Sequence, residues 1–234
     1  MNLFYTPDIE GLEYTLSPEE SKHCVRVLRF SEGEAVTLVD GKGNWFYGEI
    51  VRADVKGCKV RIHEKKVDEG KRSFHLHLAI APTKNLDRME WMLEKCTEMG
   101  IDEITMLCTE HSERKVVKEE RLEKVLVAAM KQSLKANLPK LNPMVSFKEF
   151  VKNRTEQCCC IAHCHSGEKR RLDEVYLPGD DVVILIGPEG DFSQQEVELA
   201  EGVGFHSITL GTSRLRTETA GMVACHSINF MNKV

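Results

Sequence analysis

Two glycine-containing segments combine residue types that could bind a charged ligand. One is Ile186–Ser193 (IGPEGDFS) and the other is Leu210–Ala220 (LGTSRLRTETA). Each follows an apolar stretch and precedes a predicted helix. Glycine lets the backbone approach a ligand closely, and the Glu, Arg and Thr side chains add charge and hydrogen-bonding groups. In open α/β sheets, ligands bind beyond the carboxyl ends of the strands. One such loop would be explained as a tight turn, but two together predict a shared ligand site.

Neither segment is a standard nucleotide motif. The GPEGD sequence lacks the Lys-Ser/Thr ending of a phosphate-binding loop, and no GxGxxG follows the first strand of the alternating region. The sequence therefore does not support an ATPase or a nicotinamide-dependent dehydrogenase.

Cysteine and histidine residues cluster in Cys158–His165 (CCCIAHCH) and suggest metal binding at first sight. Neighbouring side chains of a strand point to opposite faces, and the spacing is not that of a tetrahedral site. We therefore interpret this segment as the end of a buried strand and predict no metal. His75 and His77, on an earlier strand, are likewise predicted to be structural.

From residue 74 onward, strand and helix patterns alternate along the chain. Strands are predicted over 74–80, 101–108, 158–163, 181–186 and 206–210, and helices over 87–99, 119–136, 193–201 and 217–230. Asp87 is the predicted cap of the first helix, Gly100 its end, and Ser193 with Glu196 a capping box. This alternation is typical of a mostly parallel sheet with helices on both faces.

The first 70 residues have a different pattern. Short strands predicted over 35–40, 45–52 and 58–63 are separated by glycine turns, which indicates a small β-barrel or sandwich. A helix over 17–28 begins with Ser17 as cap and Pro18 at its first position. The charged stretch 63–72 is the best linker candidate. The sequence thus predicts two domains, 1–70 and 71–234.

The composition indicates an ordinary globular enzyme. The 234 residues are 41% hydrophobic, and the net charge of −5 argues mildly against a general nucleic-acid binder. Basic residues are nevertheless concentrated locally, because His23, Arg26 and Arg29 recur at every third position and would lie along one broad side of a helix. No apolar run is long enough to span a bilayer, the N-terminus does not read as a secretory signal, and the nine cysteines suit a reducing compartment. We therefore expect a cytoplasmic protein.

Four segments in a fixed order resemble one known family. They are HCVRVLR, DRMEWMLEKCTEMGI, GPEG with its DFS continuation, and LRTETA. With them the chain resembles, almost from end to end, the RsmE family, the 16S ribosomal RNA uridine-N3 methyltransferases of the SPOUT superfamily. The resemblance implies an N-terminal PUA-like β-barrel and a C-terminal α/β SPOUT domain with a trefoil knot. It also implies S-adenosylmethionine as cofactor, a homodimer, and 16S rRNA of the 30S subunit as substrate.

The resemblance also assigns roles to residues. It places the cofactor against Ile186, Gly187, Glu189, Gly190, Leu210, Gly211, Leu215, Thr217 and Ala220. RNA-facing or interface positions are His23, Arg26, Arg29, Lys84, Arg88, Ser112, Glu113 and Arg114. Asp191 departs from the family, because a second glycine is common there. Either the position does not need a positive φ, or Asp adopts it.

The implied reaction is methylation of N3 of a uridine in the decoding region. We expect Arg216 to stabilise negative charge on the uracil, and Glu189 or Glu218 to accept the N3 proton. The open alternatives are that Arg216 binds phosphate or pairs across a dimer, and that Glu218 only interacts with the helix dipole. At the level of the protein, the alternatives are a SPOUT methyltransferase for another RNA nucleotide and a non-catalytic rRNA-binding module.

Overall fold

The computed structural model describes residues 2–67, 72–153 and 155–234. These residues form two compact units. The first contains residues 2–67 and 127–138, and the second contains residues 72–126, 139–153 and 155–234. The predicted boundary between residues 70 and 71 lies outside the described residues.

The first unit is built on a five-stranded sheet. Its strands are β1 (Leu3–Tyr5), β2 (Glu13–Thr15), β3 (Ala35–Val39), β4 (Trp45–Arg52) and β5 (Lys59–Lys66), in the order β1-β3-β4-β5-β2. β1 pairs in parallel with β3, and the other pairs are antiparallel. The three strands predicted from sequence are present, and the short β1 and β2 were missed. β5 continues to Lys66, so the first part of the predicted linker is strand.

A bulge curls this sheet at Gly48. The β4–β5 register shifts between Tyr47 and Gly48, and a Cβ on Gly48 would lie 2.2 Å from the Arg61 carbonyl oxygen. Only glycine fits this close approach of two strands. The curled sheet encloses an apolar core that includes Phe4, Leu38 and Val60.

The predicted helix over 17–28 has two parts. α1 (Pro18–Lys22) begins as predicted, because the Ser17 hydroxyl accepts a hydrogen bond from the Glu20 N–H. The chain then widens into a π-helical turn, His23–Val27, in which the Leu28 N–H donates to the His23 carbonyl. The expectation that His23, Arg26 and Arg29 share one side of a helix is therefore wrong, since a π-turn changes the angular spacing and Arg29 has a positive φ of 60°.

The C-terminal part of a predicted second-domain helix belongs to the first unit. α3 (Glu119–Gln132) ends four residues earlier than predicted, and its Lys131 ammonium lies 2.5 Å from the Glu20 carboxylate. Met130 and Ala136 pack against Leu3 and Val39. A partly buried ion pair and an apolar cluster thus attach residues 127–138 to the small sheet.

The second unit contains a seven-stranded parallel sheet. Its strands are β6 (Leu76–Ile80), β7 (Glu103–Cys108), β8 (Lys140–Ser146), β9 (Cys158–Ala162), β10 (Arg170–Arg171), β11 (Val182–Ile186) and β12 (His206–Thr209). The spatial order is β10-β12-β9-β11-β6-β7-β8, and every pairing is parallel. The sheet predicted from strand–helix alternation is confirmed. β8 was missed because Pro143 interrupts its pattern, which the edge of a sheet tolerates.

The remaining helices belong to the second unit: α2 (Leu86–Met99), α4 (Phe147–Lys152), α5 (Leu172–Val175), α6 (Gln194–Gly202) and α7 (Thr217–Met231). α2 is capped by Asn85 rather than Asp87, because the Asn85 side chain accepts from the Asp87 N–H. It ends at Gly100 as predicted, and the Ser193/Glu196 capping box of α6 is present. β11 is buried at every position, so the sheet forms the core between helices.

Candidate functional site

A cavity of about 450 Å³ lies at the carboxyl ends of β9, β11 and β12. These strands are neighbours in the order β11-β9-β12, so the segments that follow them meet at one edge of the sheet. The first turn of α7 and Arg88 of α2 complete the lining. The cavity is lined by Arg88, Ala162, His163, Cys164, Ile186, Gly187, Pro188, Glu189, Asp191, Ile208, Thr209, Leu210, Gly211, Ser213, Arg214, Leu215, Arg216, Thr217, Glu218 and Ala220.

The structure brings most of the predicted site residues to this cavity. Of the nine residues that the resemblance places against the cofactor, eight line it, namely Ile186, Gly187, Glu189, Leu210, Gly211, Leu215, Thr217 and Ala220. Gly190 is not in the lining. It lies against His111, because a Cβ added to Gly190 would be 3.1 Å from the His111 Cβ. The three residues proposed for chemistry, Glu189, Arg216 and Glu218, line the same cavity.

The loop after β11 folds tightly upon itself. A Cβ on Gly187 would lie 3.0 Å from the Phe192 nitrogen, so a larger residue would push the loop open. Asp191 has a φ of 63°. The position where a second glycine is common in the family therefore does have a positive φ, and Asp adopts this left-handed conformation. Its Oδ1 accepts from the Phe192 N–H at 2.8 Å, and its Oδ2 accepts from the Cys164 N–H at 2.7 Å. Asp191 therefore joins the loop after β11 to the end of β9.

The loop after β7 contacts both the loop after β11 and the loop after β6. The His111 Nδ1 nitrogen lies 3.1 Å from the Gly190 carbonyl oxygen and 3.0 Å from the Asp191 carbonyl oxygen. Since a carbonyl only accepts, His111 is the donor. The Arg114 guanidinium donates to the carbonyl oxygens of Thr83 and Lys84, at 3.3 and 2.8 Å. Arg114, predicted to bind RNA, thus also holds the loop after β6.

The predicted catalytic carboxylates differ in their surroundings. Glu218, in the first turn of α7, is buried, and its Oε1 lies 3.8 Å from an Arg88 nitrogen. Glu189 is exposed, and its Oε1 accepts from the Lys84 N–H at 2.9 Å. The Lys84 ammonium lies 2.9 Å from Glu113, and this contact, more than the nearby Glu189, raises the pKa of the exposed lysine.

Arg216 stands at the N-cap of α7, and its side chain is exposed. It makes no side-chain cap hydrogen bond, so the guanidinium is not used to begin the helix. Of the remaining predicted RNA contacts, His23 packs edge-on against Phe4, whereas Arg26 and Arg29 are exposed. These three lie in the first unit. Ser112 is buried and hydrogen-bonds Thr109 within its own turn.

Sequence reasoning missed the contribution of β9. Ala162, His163 and Cys164 line the cavity, although the segment was interpreted only as the end of a buried strand. The missing information was the strand order, which places β9 between β11 and β12. Among the described residues, no group of three or more His, Cys, Asp or Glu side chains has a geometry that could hold a metal ion.

The family models match both parts of the chain. Residues 70–229 match an RNA methyltransferase domain, and residues 16–62 match an RNA methyltransferase PUA domain. The first match alone covers more than half of the chain. A curated relative from Mesomycoplasma hyopneumoniae, a ribosomal RNA small subunit methyltransferase E, is 31% identical over 188 residues, which are 76% of this chain and 79% of the relative.

The chain belongs to the RsmE family of RNA methyltransferases. Solved structures of similar proteins share its fold. A probable rRNA-methyltransferase from Porphyromonas gingivalis is 42% identical, with a TM-score of 0.95 over 100% of this chain and 99% of that one. A methyltransferase from Legionella pneumophila, solved with the bound cofactor SAM, is 32% identical, with a TM-score of 0.88 over 97% and 96%. The sequence resemblance to this family is therefore confirmed.

Replacing Asp191 tests whether its carboxylate holds the loop after β11 to β9. Glycine tolerates the positive φ, so Asp191→Gly removes the two hydrogen bonds without adding backbone strain. Hydrogen bonds to charged groups contribute about 1.5–3 kcal/mol, so we expect the amides of Cys164 and Phe192 to exchange at least about tenfold faster. Hydrogen–deuterium exchange resolved at these amides is the measurement.

Asp54→Gly is the matched control, because Asp54 accepts from the Lys56 N–H within a turn of the first unit. It should leave the exchange of Cys164 and Phe192 unchanged. Unaltered exchange in Asp191→Gly would mean that the loop holds its conformation without the carboxylate.

Proposed function

We propose that this chain methylates N3 of a uridine in 16S ribosomal RNA, with S-adenosylmethionine as the methyl donor. The observation that carries the proposal is the cavity at the carboxyl ends of β9, β11 and β12, which residues of both the GPEG and the LRTETA segments line. Membership of the RsmE family supports the reaction class, and the Legionella relative was solved with the same cofactor. We expect the reaction to take place in the cytoplasm.

Within the described residues, none of the helices has both the length and the apolar character needed to cross a membrane.

The residues at the cavity fit this cofactor. A volume of about 450 Å³ falls in the range of small-molecule pockets, about 300–1,000 Å³. Ile186, Ile208 and Leu215 offer apolar surface for an adenosine, and the Gly187 and Gly211 backbones leave room for close approach. Carboxylates and guanidinium groups in the lining suit an amino acid with an ammonium and a carboxylate. When bound, S-adenosylmethionine supplies an electrophilic methyl group.

The protein must position the uracil and remove its N3 proton. We assign Arg216 to the uracil oxygens, where its positive charge stabilises the negative charge that develops as the proton leaves. Glu218 or Glu189 accepts the proton, which frees the N3 electron pair for the methyl carbon that S-adenosylmethionine would supply, with S-adenosylhomocysteine as the leaving group. Holding N3 and that carbon at attack distance contributes roughly 7–11 kcal/mol to lowering the barrier.

Cations at the mouth of the site are proposed to bind the RNA backbone. Lys84 and Arg88 belong to the loop after β6 and the start of α2, and Arg114 belongs to the loop after β7. All three side chains retain donors beyond the contacts described above, so they can also bind phosphate. Arg26 and Arg29, with His23 beside them, are proposed to add RNA contacts from the first unit. Such local basic groups reconcile RNA binding with a net charge of −5.

The product of the reaction tests the proposal directly. Unmodified 30S subunits are incubated with purified protein and S-adenosylmethionine, and their nucleosides are analysed by mass spectrometry. We expect new 3-methyluridine. A different methylated nucleoside would favour the alternative of a SPOUT enzyme for another base. The absence of any product, on subunits that an active relative methylates, would favour a non-catalytic rRNA-binding module.

Arg216→Ala separates catalysis from binding. Loss of one donor to a developing negative charge typically lowers kcat about 10²–10³-fold, and we expect a decrease of this size in 3-methyluridine formation. Affinity for the cofactor should change by less than about threefold. Arg52→Ala, which removes an exposed arginine that does not line the cavity, serves as the control and should retain most of the activity. Normal turnover in a folded Arg216→Ala protein would rule out this role.

We further propose that the protein acts as a homodimer formed through α7. Phe230 is 72% exposed and belongs to a groove of about 520 Å³ that also includes Leu172, His226 and Met231. Leu210 and Gly211 line both this groove and the cofactor cavity. A second copy packed on the groove would therefore bury the apolar surface and reach a wall of the site.

Phe230→Asp should shift the protein from dimer to monomer, because it places a charge in the proposed interface. Sedimentation velocity at micromolar concentration measures the change. Leu177→Asp is the control, since Leu177 is similarly exposed but is not part of the groove. A wild-type protein that sediments as a monomer, or a Phe230→Asp protein that remains dimeric, would contradict the proposed interface.

A further inference from the structure

His163 has one ring nitrogen that no described residue satisfies. It follows β9 and lines the cavity between the loops after β11 and β12. Its Nε2 lies 3.0 Å from the Ser207 hydroxyl oxygen. Its Nδ1 is buried and has no hydrogen-bond partner among the described residues. Buried polar atoms are almost always hydrogen-bonded, so an exception at a ligand cavity calls for an explanation.

The hydrogen-bond chain behind His163 fixes its tautomer. The Ser207 hydroxyl donates its only hydrogen to Oε1 of Glu201, at 2.6 Å. The same oxygen must therefore accept from His163, which places the ring hydrogen on Nε2. In the neutral ring, Nδ1 then carries a lone pair and acts only as an acceptor. The sequence of contacts Glu201–Ser207–His163 thus presents an acceptor, not a donor, at the end of β9.

The charged neighbours of His163 keep the imidazole neutral on balance. Burial lowers its pKa, and the positive charge of Lys169 lowers it further. Asp191 and Glu201 act in the opposite direction with smaller effect, and His165, whose ring centroid is 5.6 Å away, adds to the lowering. The net direction is downward from the ordinary value, so the ring is neutral at pH 7.

We infer that Nδ1 of His163 accepts a hydrogen bond from an N–H or O–H group of the bound cofactor. This inference rests on the proposed function and adds a specific recognition residue to it. Glu201 and Ser207 act as positioning residues, because they hold the ring in the tautomer that can accept. If the cofactor made only apolar contacts here, Nδ1 of His163 would stay buried beneath it without a hydrogen-bond partner, which is unfavourable.

Affinity for S-adenosylhomocysteine, measured by isothermal titration calorimetry, tests the inference without any turnover. His163→Leu removes the acceptor and should weaken binding by about tenfold, the effect of one hydrogen bond. His163→Asn places an amide oxygen near the position of Nδ1 and should bind within about threefold of the wild type. His206→Gln is the control, because His206 is exposed and does not line the cavity.

The pH dependence gives a second, independent readout. Protonation turns Nδ1 into a donor, so wild-type affinity should be constant near pH 7 and above. It should fall about tenfold per pH unit once the pH is below the lowered pKa of His163. The fall should be smaller in His163→Asn, because an amide does not titrate. Ser207→Ala should weaken binding at pH 7 by releasing the ring, with less effect than His163→Leu.

The source of the donor is resolved with 5′-methylthioadenosine, which lacks the amino acid part. A similar loss in His163→Leu with this ligand assigns the donor to the adenosine, and a loss seen only with S-adenosylhomocysteine assigns it to the ammonium. Unchanged affinity and pH dependence in a folded His163→Leu protein would overturn the inference while leaving the proposed function intact. If the wild type binds neither ligand, the proposed cofactor itself is wrong.

Discussion

The carboxylate of Asp191 connects two of the three chain segments that form the ligand cavity. Loops at the end of a parallel sheet lack the regular pairing of the strands, so their positions depend on a few side-chain contacts. Asp191 meets this need with two short hydrogen bonds from one left-handed residue. A glycine would adopt the same φ but would leave the Cys164 and Phe192 amides without these acceptors.

The loop after β7 makes further contacts that support the cavity. His111 donates to the carbonyl oxygens of Gly190 and Asp191, and Arg114 holds the loop after β6. Glu196 belongs to the capping box of α6 and also accepts from the Glu110 N–H at 2.9 Å. The loop after β7 therefore braces the loops that follow β6 and β11. It supplies no residue to the lining, but it holds Asp191, which does line the cavity, through the hydrogen bond from His111.

The polar groups at the cavity fall into two electrostatic classes. Arg88, Arg214 and Arg216 bring positive charge, and Glu189 and Glu218 bring negative charge. Charges of both signs suit a cofactor that has an ammonium and a carboxylate. The positive charges also suit a polyanionic RNA. His163 differs from all of them, because burial keeps it neutral and its contacts make it an acceptor. Such a neutral acceptor favours a ligand that places an N–H or O–H group along the lone pair of Nδ1, whatever the charge of that ligand.

The amino-acid sequence by itself determined the parallel α/β class, the small β unit, the family and the two loops of the cavity. These follow from local patterns, namely strand–helix alternation, the capping signals at Ser17 and Ser193, and the GPEG and LRTETA motifs. Pattern reasoning failed where a residue's environment depends on distant chain segments. It missed the edge strand β8, the division of α3 between units and the π-helical turn after Lys22.

Only the tertiary structure decided that β9 lies between β11 and β12, and with it the place of His163 and Cys164 in the cavity. It also decided that Arg114 binds backbone carbonyls and that Gly190 faces His111. The physical reason is that strand order is set by which apolar faces pack together across the whole domain. Neighbours in space then come from residues as far apart as 163 and 207, whose pairing no local spacing encodes.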